Sequence, residues 1–189
     1  MREGCLVAVV GPSGVGKDSV MTGLRVVLPQ LHLVRRVITR AADLGGEDYD
    51  AVSDGAFEAM VEDGAFLTHW RAHGLCYGIP TAIEPLLHTG TDCLANLSRS
   101  ALAEVARAVP RFVVLNITAA PKTLATRLAA RGRETQDDIA TRLRGADKPL
   151  PTGLDVIHLS NDGHLQDTVA RGAALLMPLL AASQSESMT

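Results

Sequence analysis

The sequence predicts an α/β fold of three layers, a mostly parallel sheet with helices on both faces. Three observations predict it. Residues 5–10 form a continuous apolar run rich in β-branched residues, as in a strand buried on both faces. That run passes into Gly11-Pro12-Ser13-Gly14-Val15-Gly16-Lys17-Asp18, and then Val20, Met21, Leu24, Val27 and Leu28 recur at helical spacing until Pro29 stops them. From Cys93 onward, strand-like runs alternate with helical ones, which implies parallel strands joined by right-handed crossovers.

The remaining elements follow in order. Residues 33–40 read as a strand carrying Arg35, Arg36 and Arg40, and residues 41–50, with Gly45-Gly46 and four acidic residues, read as a loop. Phe57, Met60 and Val61 predict a short helix ending at Gly64. Residues 66–70 and 75–80 form a candidate hairpin about His73-Gly74. Helix signals run from Thr81 to about His88. Strands at 93–97, 112–117 and 156–159 then alternate with helices at about 100–109, from Pro121 to about Arg131, and at 165–180. The antiparallel-looking insert at about 33–80 follows the first helix of the sheet, where a second substrate would sit.

Composition narrows the function. A chain of 189 residues at 47% hydrophobic suits one domain, expected over 1–182, with a polar tail at 183–189 expected to be disordered. The net charge of −3 and an aromatic content of 3% give neither an electrostatic footprint nor stacking platforms for nucleic acid. Cys5, Cys76 and Cys93 lie in or beside apolar runs, as reduced buried thiols of a cytoplasmic protein do. No leader is expected, and no apolar run reaches membrane-spanning length.

The first turn carries the chemistry. Its three glycines let successive backbone N–H groups point inward at an anion, and the following helix adds its positive dipole end. Lys17 supplies a mobile charge for the β- and γ-phosphates of a nucleotide. The expected nucleotide-binding residues are therefore Gly11, Pro12, Ser13, Gly14, Val15, Gly16, Lys17, Asp18 and Ser19. The position after Lys17 commonly holds a hydroxyl for Mg²⁺. Asp18 could ligate Mg²⁺ there, directly or through water, or could cap the helix. Transfer of the γ-phosphoryl also needs cations around it, and arginine suits this because its planar fork grips phosphate oxygens at two points. Arg127, Arg131, Arg133, Arg142 and Arg144 form one cluster, which could equally be a solvated helix face paired with Glu134, Asp137 and Asp138.

Beyond the loop, the chain resembles the guanylate kinase-like P-loop kinases. The matching pieces are Thr39-Arg40, Gly46-Glu47-Asp48-Tyr49, Val52-Ser53, Phe57-Glu58-Ala59-Met60, Gly64-Ala65-Phe66-Leu67, Tyr77-Gly78, Arg131-Gly132-Arg133-Glu134-Thr135, Arg142-Leu143 and Asn161-Asp162. The resemblance implies a P-loop kinase fold, ATP with Mg²⁺, an acceptor-binding insert and a helical lid at 131–148. It also implies departures. Where the family has a second phosphate-binding Arg, this chain has Asp43; Thr68 stands where the family reads guanine with Glu, and Ile79 where it has Ser or Thr. Asn96 and Ser98 replace an acidic pair. A site without those partners does not select guanine by hydrogen bonding.

Gly-Pro-Ser-Gly-x-Gly-Lys-Asp-Ser, Arg36-x-Ile38-Thr39-Arg40, Trp70-x-Ala72-x-Gly74-Leu75-x-Tyr77-Gly78, Asn96-x-Ser98-Arg99 and Asn161-Asp162-Gly163 more closely resemble the bacterial ribose 1,5-bisphosphate phosphokinase family of phosphonate degradation. That resemblance implies γ-phosphoryl transfer from ATP to the 1-phosphate of ribose 1,5-bisphosphate. Lys17, Arg131, Arg133 and Arg142 would act in catalysis. Arg36, Arg40, Tyr49, His69, Tyr77, Asn96, Ser98 and Arg99 would bind the acceptor, and Asn161 would lie near the adenine. Read as residues alone, Trp70 and Tyr77 could be packing, His69 and His73 could be structural, and Asn-Asp-Gly is also an ordinary turn. A guanylate or nucleoside monophosphate kinase and a non-catalytic nucleotide-binding module are the competing readings, and a homodimer is left open.

Overall fold

The computed structural model describes residues 2–41, 47–130, 143 and 149–181. β1 (Leu6–Val10) leads through the Gly-rich turn into α1 (Lys17–Val27), followed by β2 (His32–Leu33), β3 (Arg36–Ile38), β4 (Tyr49–Ala51), α2 (Asp54–Glu62), β5 (Phe66–Ala72) and β6 (Leu75–Pro80). Then come α3 (Glu84–His88), β7 (Cys93–Asn96), α4 (Leu102–Ala108), β8 (Phe112–Thr118), α5 (Pro121–Ala130), β9 (Val156–Ser160) and α6 (Leu165–Ala181). Five strands in the order β2-β7-β1-β8-β9 form one sheet, and every pairing in it is parallel.

β1 lies at the centre of that sheet and is buried along its whole length. Its side chains alternate between two cores. Val7 and Val9 pack with Val20 and Leu24 of α1, Leu124 of α5 and Val169 and Leu176 of α6. Leu6, Ala8 and Val10 pack with Leu87 of α3 and Leu102 and Val105 of α4. Each fully buried Leu or Val contributes about 1.5–3 kcal/mol, so β1 anchors both outer layers to one strand. The three cysteines are free and buried. Burial pushes the Cys5 thiol up to about 11 and Cys93 up to about 12, which keeps both neutral.

A second sheet, β4-β3-β6-β5, carries the insert. Ser53 accepts a hydrogen bond from the Ala56 N–H and starts α2, whose Phe57 packs on Val37, Cys76 and Phe66. The β5–β6 hairpin turns at His73 (φ 53°) and Gly74 (φ 76°), two successive left-handed residues that match the twist of the strands.

The structure differs from the sequence reading in three places. The single run at 33–40 is two strands in two sheets, because Leu33 pairs with Leu94 of β7 while Arg36 pairs with Tyr49 of β4. The second sheet thus begins at Arg36. Tyr49 and Asp50, read as the end of a loop, begin a strand, since their backbone pairs with β3 and a charged solvent-facing edge needs no apolar alternation. The insert is mixed, because β3 and β4 run parallel while β3–β6 and β5–β6 are antiparallel. The expected lid at 131–148, Leu143 apart, and the tail at 183–189 lie outside the described residues, as do Asp43, Gly45 and Gly46. Among the described residues no helix is long and apolar enough to cross a membrane.

Candidate active site

The chain leaves β1 leftward through α1 to β2 at one edge, and leaves β8 toward β9 at the other. A crevice outside the carboxyl ends of the strands is the expected place for a ligand in such a sheet, and the Gly-rich turn stands there. Its curl needs glycine. Gly14 (φ 82°) and Gly16 (φ 88°) are left-handed, and a Cβ on Gly11 would fall 2.5 Å from the Ile117 carbonyl oxygen. Val15 is buried under the turn, where its carbonyl accepts from Asn161 Nδ2 at 2.7 Å and from Arg127 Nη1 at 3.4 Å. Lys17 Nζ folds back over the turn and donates to the carbonyls of Gly11 (2.9 Å) and Pro12 (3.3 Å). Desolvation pushes its pKa down to about 8; Asp18 opposes that shift and Arg36 adds to it.

The turn forms one wall of a cleft of about 750 Å³ that runs onto the second sheet. Gly11, Pro12, Ser13, Gly14, Gly16, Lys17 and Asp18 line the first wall, and Asn96, Ser98 and Arg99 line the end of β7. Arg36, Arg40, Glu47, Trp70, His73 and Tyr77 line the insert side. Lys17, Arg36, Arg40 and Arg99 thus face two carboxylates, Asp18 and Glu47, and the balance favours anions. Arg36 is nearly buried and donates from Nε and Nη2 to the two oxygens of Glu47, the first at 3.0 Å. Its guanidinium carbon also lies 4.9 Å from the Tyr77 ring centre. Arg40 Nε donates to the Tyr49 hydroxyl at 3.1 Å, and that hydroxyl donates to the Ala41 carbonyl.

Several residues expected in the site lie elsewhere. Tyr49 is buried behind Arg40 and supports it. His69 is on the opposite face of β5 from Trp70, with Phe57 and Phe66 ring centres at 6.3 and 6.2 Å, because successive strand residues alternate sides. Ser19 is on the exposed side of α1. Asn161, 3% exposed, props the turn through Val15 and does not line the cleft. Arg131, Arg133 and Arg142 lie outside the described residues. Thr68 is buried and donates to Glu104 of α4 at 3.2 Å, away from the cleft lining.

Asp18 Oδ1 accepts from Asn96 Nδ2 at 3.3 Å, which ties the start of α1 to the end of β7. Among the described residues no group of three His, Cys, Asp or Glu could hold a metal unaided. A lone hard carboxylate beside Lys17 fits Mg²⁺ that arrives on nucleotide phosphates, since Mg²⁺ takes one or two carboxylates and keeps phosphate and water for the rest.

A cleft that joins a phosphate loop to an arginine-bearing insert is the layout of a kinase acting on a phosphorylated acceptor. The guanylate kinase family model matches residues 3–171. The chain belongs to the guanylate kinase family. Within the family its relatives include a protein named ribose 1,5-bisphosphate phosphokinase PhnN from Ruegeria sp. (strain TM1040), 48% identical over 175 residues, 92% of each chain. A protein of that name from Agrobacterium fabrum (strain C58 / ATCC 33970) is 45% identical over 165 residues, 86% of this chain and 90% of its own. A solved guanylate kinase from Anaplasma phagocytophilum aligns with a TM-score of 0.67 at 19% identity, covering 95% of this chain and 87% of that one. At that identity it shows the shared fold alone.

The sequence reading gave no site role to one residue of this family member's cleft, Glu47. Glu47 was legible only as part of a motif, and its partnership with Arg36 comes from the parallel pairing of β3 with the start of β4. His73, weighed from the sequence as a sugar or phosphate contact against a structural role, sits at the hairpin turn and lines the cleft.

Proposed function

We propose that the chain transfers the γ-phosphoryl group of ATP to the 1-phosphate of ribose 1,5-bisphosphate, giving 5-phospho-α-D-ribose 1-diphosphate and ADP. The observation that carries this reading is 48% identity to a ribose 1,5-bisphosphate phosphokinase across 92% of both chains. The cleft supports it. The guanine-reading position is Thr68, and its hydroxyl is turned to Glu104, so the described cleft offers a base no carboxylate there. A sugar bisphosphate needs cations instead, and Arg36, Arg40 and Arg99 line the wall.

In the reaction a bond forms between Pγ and an oxygen of the acceptor 1-phosphate, and the bond from Pγ to the β,γ-bridging oxygen breaks. The acceptor oxygen is already ionised, so no general base is required. The work is to hold two anions that repel each other. Backbone N–H groups of the turn cradle the donor phosphates. Lys17 exchanges the Gly11 and Pro12 carbonyls for β- and γ-phosphate oxygens. Arg36, Arg40 and Tyr77 hold the acceptor phosphate, with Asn96, Ser98 and Arg99 toward the sugar and its second phosphate. Asp18 would hold Mg²⁺ beside the nucleotide, and the ion would draw off charge that develops on the leaving phosphates. Arg131, Arg133 and Arg142 keep the lid role that the family resemblance implies, closing over the phosphates and excluding water. We place the reaction in phosphonate breakdown in the cytoplasm, where ATP is supplied and buried thiols stay reduced.

The test is an ADP-release assay with Mg·ATP and a panel of acceptors. Turnover with ribose 1,5-bisphosphate and little with GMP is expected. Preferred turnover of GMP would return the chain to base-reading kinases. Tight ATP binding with no turnover of any acceptor would make it a binding module.

A further inference from the structure

Trp70 is the only tryptophan of the chain and lines the cleft, yet nothing in the phosphoryl transfer uses it. It faces Tyr77 across the β5–β6 ladder. The two rings are stacked, with centres 5.5 Å apart and planes 5° from parallel. The Arg36 guanidinium carbon lies 4.9 Å from the Tyr77 centre and 5.8 Å from the Trp70 centre. Indole, phenol and guanidinium therefore form one packed group.

Arg36 has five N–H donors in a rigid fork. Glu47 takes two of them along the Nε–Nη2 side. The guanidinium carbon lies over both aromatic rings, whose negative faces attract the cation. The end of the fork, Nη1 and the second hydrogen of Nη2, is then the edge a phosphate can address. A fork held by a carboxylate on its side and by two rings under its carbon has lost rotational freedom before the ligand arrives, and that cost does not fall on binding. Trp70, laid parallel on Tyr77, extends the aromatic surface beneath the cation.

We propose that Trp70 is a positioning residue for the acceptor side, holding Tyr77 and the Arg36 fork in the orientation that receives the acceptor phosphate. The proposal rests on the reading of the cleft as a kinase site with Arg36 on the acceptor. Trp70 does not touch the donor wall in this scheme, so its effect falls on one substrate.

Two variants separate stacking from packing. Trp70→Leu fills apolar volume without a π-face, and Trp70→Phe keeps a face. Steady-state kinetics are run for both substrates, with thermal melts to confirm folding. For Trp70→Leu the KM for ribose 1,5-bisphosphate is expected to rise about tenfold while the KM for ATP stays within about twofold, the size of a desolvated cation–π contact. Trp70→Phe should recover most of that loss. In the wild type, emission from this single tryptophan should change on titration with ribose 1,5-bisphosphate, and a non-hydrolysable ATP analogue alone should leave it unchanged. An unaltered acceptor KM in Trp70→Leu overturns the proposal, as do equal losses on both substrates, which mark a structural role. Should Trp70→Leu fail to fold, the wild-type emission decides: a response to ribose 1,5-bisphosphate and none to the ATP analogue supports the proposal, and no response to the acceptor overturns it. Turnover of GMP in place of the sugar bisphosphate sinks the reading of the substrate, while the same KM split measured with GMP still decides Trp70. No turnover with any acceptor overturns both.

Discussion

On the proposed reading, the donor wall of the cleft is built mainly from backbone and the acceptor wall from side chains. In residues 11–17 the recognition groups are N–H vectors, and their direction depends on Gly14 and Gly16 holding left-handed dihedrals. The acceptor wall has no such local rule. Arg36, Glu47, Trp70 and Tyr77 come from β3, the approach to β4, β5 and β6, and they meet because that sheet pairs its strands in a particular register. The comparison teaches where damage spreads. A change in the donor wall distorts one turn, whereas a change in the acceptor wall releases neighbours drawn from the whole insert.

Four experiments sharpen or break that comparison. The largest effect belongs to Lys17→Ala, which should lower kcat at least ~10²-fold, as the loss of one preorganised charge donor does. Stopped-flow measurement showing wild-type turnover would remove Lys17 from the donor wall. Glu47→Gln comes next. It keeps the shape but removes the charge that braces Arg36, so the acceptor KM should rise about tenfold and the ATP KM should not move, in line with the loss of a buried charged hydrogen bond. Equal changes in both constants would mean that the two walls are not separable.

The third is pH. The Lys17 pKa is lowered to about 8 in the ligand-free protein, and bound phosphate favours the charged amine. ATP binding must then take up a proton near pH 8, and affinity must fall as pH rises through that value, by up to about tenfold from pH 7 to 9 if only the charged form binds. Calorimetry in two buffers of different ionisation enthalpy reads the uptake directly; proton release on binding would contradict the assignment. The smallest effect is Asn161→Ala. It removes the 2.7 Å prop under Val15, and should raise the ATP KM about fivefold through a looser turn, with the acceptor KM unchanged. A selective effect on the acceptor would place Asn161 on the wrong wall.

Much of the molecule was legible beforehand for reasons of period and composition. A β-branched apolar run, a helical stripe after it and a stopping proline predicted β1 and α1 within a residue or two. Periodicity carried the alternation of strands and helices in the second half just as well. The errors cluster in the insert. Residues 33–40 read as one strand because nothing local marks the change of sheet; only the partner of each backbone group does. His69 and Trp70 are sequence neighbours of similar promise, and the alternation of β5 sends one to α2 and the other to the cleft. Asn161, named from a motif outside the insert, lies under the phosphate loop, where its amide donates to the Val15 carbonyl.

By itself, then, the sequence determined the phosphate loop and the chemistry it can do, because a backbone anion cradle is written in glycine positions and needs no distant partner. It also determined the three-layer order, since strand and helix periods sort each side chain to a face. Only the tertiary structure decided how Arg36 is held, that Glu47 and Trp70 line the cleft, and that Tyr49, His69 and Asn161 do not. Those facts depend on strand register and on charges that approach across the fold, and such contacts carry no signal in local sequence.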